Sequence, residues 1–91
     1  MIMTLAEGLE VLHLDAGVQD ALVTGLIEAI PGYIEETTGM TAEAQAAEPL
    51  AKTVAGFLLV LWYNRDHADD VKLQRVIDNL LKCIRLKVAA E

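Results

Sequence analysis

Few residues in this chain are of the types that carry chemistry. The histidines are His13 and His67, the single cysteine is Cys83, and serine is absent. A His13–Cys83 pair would be the one nucleophile and base on offer. Such a pair needs a third group to orient the imidazole, and nothing in the sequence marks one. The tract Asp66-His67-Ala68-Asp69-Asp70 has the composition of a metal site. It lacks the spaced oxygen ligands and central glycine of a calcium loop, and the paired His or Cys ligands of zinc. It reads as a solvated loop with a capping aspartate. Glu35-Glu36 and Asp69-Asp70 are adjacent pairs, which do not face one another on a helix. No glycine loop of the phosphate-binding kind is present. The expectation is therefore a protein that is not an enzyme, with no catalytic residues, no cofactor and no metal. Cys83 lies among Leu80, Leu81 and Ile84 and reads as a small core hydrophobe. With no second cysteine it has no intrachain disulfide partner.

Binding chemistry is better represented. Trp62 and Tyr63 are adjacent, and neighbours on a helix point about 100° apart. One is expected to seal the core and the other to lie at a boundary or interface, where aromatic anchors concentrate binding energy. Arg65 is expected to pair with an acidic group on the second helix and fix its register. Up to Ala51 the chain has nine acidic residues, Glu35 and Glu36 among them, and no Lys or Arg. From Lys52 onward it has seven basic and five acidic residues, giving −7 overall. That balance argues against a DNA-binding face and against sequence-specific nucleic-acid binding. It suits head-to-tail packing, an acidic face of one copy against the weakly basic face of the next. Trp62, Tyr63, Arg65, Glu35 and Glu36 are the candidate interface residues.

The elements that must hold these residues are helices. Apolar residues make up 54% of the 91 positions, above the usual share of about 45–50%. One small domain is expected over residues 1–91, with a core over 2–85 and a flexible tail at 86–91. Surplus apolar surface in so small a domain points to burial in a partner or in further copies. Thr4-Leu5-Ala6-Glu7 is a capping box opening a short helix that ends at His13 or Leu14. A longer helix is expected from Asp15 or Gly17 to Thr38, stopped by Gly39. Its stripe reads Val18, Leu22, Leu26, Ala29, Tyr33 and Thr37, widened by Ile27, Ile30 and Ile34. Pro31 predicts a kink, or two helices in tandem. Met40–Glu48 reads as an unanchored linker.

Pro49 then opens a central third helix whose run from Val54 to Tyr63 is apolar all round, so its neighbours must cover it. It is too short to cross a bilayer, which takes about 20 apolar residues. A last helix is expected from Val71 to about Lys87, with Leu73, Val76, Ile77, Leu80, Leu81 and Ile84 on its apolar face. The fold class is all-α, a small bundle of about four helices. MIMTLAEG has no secretory pattern, so the chain is expected to be made in a cytosol, with no membrane partner.

In order and spacing these pieces resemble the small head–tail connector (adaptor) proteins of long-tailed bacteriophages, often labelled phage DNA-packaging proteins. The matching residues are Thr4-Leu5-Ala6-Glu7 opening the first helix, Asp20-Ala21-Leu22 beginning the long one, Ile27-Glu28-Ala29, Tyr33-Ile34-Glu35, Thr38-Gly39 and Pro49-Leu50. Trp62-Tyr63-Asn64-Arg65 is similar to the family's ending of its third helix. Three features depart from the pattern. Pro31 falls in a usually unbroken helix, no acid stands between Tyr63 and Asn64, and no proline-glycine turn precedes the last helix. The resemblance implies a virion part encoded by a phage or prophage. Such proteins form a ring of about twelve copies between the portal protein and the head-completion and tail proteins. They extend the DNA channel and help retain packaged DNA. An acidic first half would let DNA slide through without sticking. The alternative expectation is a small acidic helical module, a protein-binding or regulatory dimer encoded by a mobile element.

Overall fold

A computed structural model describes residues 2–64 and 70–90. Five helices follow one another: α1 (Leu5–Leu12), α2 (Asp20–Thr38), α3 (Ala42–Gln45), α4 (Pro49–Tyr63) and α5 (Asp70–Ala90). No strand occurs among the described residues. α2 and α4 pack on each other, and α1 and α5 each touch both without touching one another. The two outer helices therefore fill opposite grooves of the α2–α4 pair. α3 bridges α2 and α4. The fold is the expected all-α bundle, with one short helix more than the sequence suggests.

The Thr4 capping box forms in full. Thr4 Oγ1 accepts from Glu7 N–H at 3.1 Å, and Glu7 Oε1 accepts from Thr4 N–H at 2.9 Å. α1 ends at His13, which takes a left-handed conformation (φ 57°) and donates its N–H to the carbonyls of Glu10 and Leu9. α2 begins at Asp20, later than Asp15 or Gly17. Gly17 has φ 90°, and its N–H donates to Asp20 Oδ1 at 2.9 Å, so residues 14–19 form a connection before the helix can start. The Gly39 stop is as expected, with φ 82° and its N–H on Glu35 O at 2.8 Å.

α2 runs through Pro31 as one helix, not two in tandem. Its buried face is Val23, Ile27, Ile30, Ile34 and Thr38. The expected main stripe is rotated away from the core: Val18 is 63% exposed and Leu22 51%, and Ala29 is exposed too. The residues read as widening the stripe are its centre. α4 answers to its apolar sequence. Ala51, Val54, Ala55, Leu58 and Leu59 are buried, and no residue from Val54 to Tyr63 is fully exposed. With Ile77, Leu81 and Ile84 of α5 and Leu9 of α1 these make one core. Each large apolar side chain so buried contributes about 1.5–3 kcal/mol.

One expectation about the connections is corrected. The 40–48 segment is anchored. Met40 is buried, Thr41 caps α3 by accepting from Ala44 N–H, and Gln45 is buried. Gln45 Nε2 donates to Pro31 O at 3.0 Å and to Met40 O at 2.9 Å, tying the turn to the middle of α2. α5 continues past Leu86 to Ala90. Half-buried Val88 reaches Gly39, and Lys87 Nζ pairs with Glu48 Oε1 at 2.5 Å.

Candidate interaction surfaces

The residues with catalytic potential are not assembled. His13 closes α1 and Cys83 lies on α5, two helices that do not touch. Cys83 is exposed, not the core hydrophobe its sequence neighbours suggest. Successive helical positions diverge by about 100°, so Leu81 and Ile84 are buried while Cys83 is not. Among the described residues no group of three His, Cys, Asp or Glu side chains could hold a metal ion. His67 and the Asp66–Asp69 part of the acidic tract lie outside the described residues, as does Arg65 with its expected ion pair.

Of the five candidate interface residues, the fold places four. Trp62 and Tyr63, at the end of α4, are both half-buried, so neither is simply core and neither is simply surface. Trp62 meets Tyr33 of α2 edge to face, with ring centroids 5.5 Å apart and planes at 90°. That geometry aligns the positive ring edge with the negative face and joins the end of α4 to the middle of α2. Glu35 and Glu36 are exposed on α2, and Glu36 lies one turn beyond Tyr33 on the same flank. The division expected between the two aromatics, one sealing the core and one at a boundary, is not seen: both are half-buried against the core.

Besides Lys87–Glu48, three polar ties escape the sequence reading. Lys52 Nζ bonds Glu7 Oε2 at 2.7 Å, joining the starts of α4 and α1. This hydrogen bond, followed by the one from Thr4 N–H, lowers the Glu7 pKa from 4.5 to about 2. Arg85 Nε and Nη2 donate to Thr37 O at 3.2 and 3.0 Å. The guanidinium thus satisfies a last-turn carbonyl of α2 and complements the negative end of its dipole. The third tie is Gln45. The one available signal was Lys52 itself, the first cation after a long acidic stretch.

Beside the Lys52–Glu7 pair an apolar groove of about 300 Å³ opens between α1 and α4, lined by Met3, Val11, Phe57 and Val60. Further apolar side chains stand exposed at Val18, Leu22, Val71, Val76 and Leu86. No helix of the described residues is long and apolar enough to cross a membrane. No protein-family model, curated protein or solved structure matches the chain.

Proposed function

We propose that the chain is a structural subunit of the head–tail connector of a long-tailed bacteriophage, with no enzymatic role. About twelve copies would form a ring between the portal protein and the head-completion and tail proteins. The subunit is made in the bacterial host's cytoplasm and ends in the virion. It contributes to DNA packaging and retention and to head completion. The observation that carries the reading is where the resembling residues fall. Thr4 caps α1, Asp20-Ala21-Leu22 begins α2, Thr38-Gly39 ends it, Pro49-Leu50 opens α4, and Trp62-Tyr63 closes it. That these resembling residues lie at helix boundaries, the start at Asp20 among them, supports the reading.

Two further features support it. Apolar side chains left exposed at Leu22, Val71, Val76 and Leu86 suit a subunit that is completed by neighbours. The net charge of −7 suits a channel through which DNA slides without adhering. The test is deletion of the coding sequence from the phage or prophage that carries it. Electron microscopy should then show heads that fail to hold DNA or to join tails. Normal, infectious, tailed particles from the deletion would contradict the reading and favour the dimeric regulatory module instead.

A further inference from the structure

α2 and α5 each present one face to the core and leave the other bare, and the two bare faces carry opposite charge. On α2 the outward residues include Glu28, Glu35 and Glu36, with no cation among them. On α5 the outward ridge carries Lys72, Arg75 and Lys82 against the acid Asp78 between them, a net positive face, with Leu86 exposed at 63% on the same ridge. The spacing matches as well as the sign. Glu28 and Glu35 are two helical turns apart, about 10.5 Å along the axis, and so are Arg75 and Lys82. Gly25 and Gly32 leave the α2 face low: a Cβ at either would meet nothing within 4 Å. A protruding Leu86 has room there. α2 belongs to the central helix pair and α5 fills one of its grooves, so the two outward faces look in different directions.

We infer that a second copy of this chain docks here, the outer face of its α5 lying on the outer face of α2. The inference deepens the ring-subunit reading by naming the mating faces, and rests on that reading only for the number of copies. Net charge does not prevent it. At about 0.1 M salt, charges more than about 10 Å apart are screened, and the local faces decide. Each interface leaves the complementary face of both copies available, so the contact is heterologous and propagates.

The experiment is sedimentation of three full-length proteins at about 0.1 M and 1 M salt: the wild type, Glu28→Lys/Glu35→Lys, and Arg75→Glu/Lys82→Glu. All four positions are exposed, and circular dichroism checks that the helices are kept. The wild type should associate at 0.1 M salt and weaken at least about tenfold at 1 M, because paired surface charges are screened. Each variant alone should be monomeric. Mixed, the two should associate again, since the swapped α2 face of one meets the swapped α5 face of the other. A wild type that stays monomeric to about 1 mM overturns the inference, as does association that neither variant moves. If the α5 ridge instead serves nucleic acid, a monomeric wild type will bind DNA and the α5 variant will lose that binding, which also overturns it. None of these results decides whether the protein is in phage particles, so this docking and the connector reading fail separately.

Discussion

A Cβ on Gly8 would stand 2.7 Å from Ile27 Cδ1, 3.2 Å from Leu59 Cδ2 and 3.3 Å from Val23 Cγ1. All three neighbours are fully buried, on two different helices, so none can yield without disturbing the core. Gly8 is therefore the point where α1 approaches the α2–α4 pair, and not simply a weak spot in a helix. At Gly56 a Cβ would meet nothing within 4 Å. The same substitution should thus have opposite signs at the two sites. Gly8→Ala incurs about 1–3 kcal/mol of overpacking, which outweighs its gain in helix propensity. Gly56→Ala should stabilise by about 0.5–1 kcal/mol. Urea midpoints of the two variants against the wild type check both. Glu7 gives a pH dependence with a definite sign. Its pKa is lowered from 4.5 to about 2 by Lys52 and by Thr4 N–H, so its stabilising contribution is complete above about pH 4.5. The contribution falls away as pH drops through about 2. The stability difference between wild type and Glu7→Gln should shrink between those values; a difference constant from pH 6 to pH 2 would contradict the pairing.

Among the elements, α3 depends most on one side chain. Gln45→Ala removes both hydrogen bonds to Pro31 O and Met40 O and leaves a buried void. It should lower stability by about 1–3 kcal/mol and speed amide exchange at Gln45, whose N–H donates to Thr41 O. Unchanged exchange there would show that α3 stands without the anchor. This anchor illustrates what the sequence conceals: a glutamine in an alanine-rich stretch carries no periodic signal, because its partners are backbone carbonyls, five residues away at Met40 and fourteen at Pro31. In α2 the buried face is ambiguous in sequence for another reason. Its two apolar stripes differ by one residue, and both keep helical spacing across Pro31. The tie-breaker was available in Glu36. It lies about 60° from the centre of the Leu22–Thr37 stripe and about 160° from that of the Val23–Thr38 stripe. Only the second keeps that carboxylate in water, and the structure buries the second. Caps and stops were the easiest to read, at Thr4, Gly39 and Pro49, because each acts through its own backbone geometry. The apolar run of α4 was equally plain, since a helix without a polar face must be covered. The adjacency of Trp62 and Tyr63 is legible in sequence, whereas the edge-to-face partner Tyr33 requires the fold.

For the whole molecule, the arrangement explains why so small a chain is so rich in apolar residues. α2 and α4 form a central pair, α1 and α5 cover its grooves, and the core closes with no intrachain disulfide, Cys83 being the single cysteine. Apolar residues remain outside at Val18, Leu22 and Leu86, beside charges that differ in sign between α2 and α5. The proposed ring subunit would have this character: a complete core, and an exterior whose charges and apolar residues a neighbouring copy could complement. Mass spectrometry of purified phage particles from the strain that encodes the chain tests this most directly. The polypeptide should be present in DNA-filled particles at about twelve copies per portal ring, the stoichiometry of a closed ring. Particles that carry DNA and tails but lack this polypeptide would contradict a structural role in the virion.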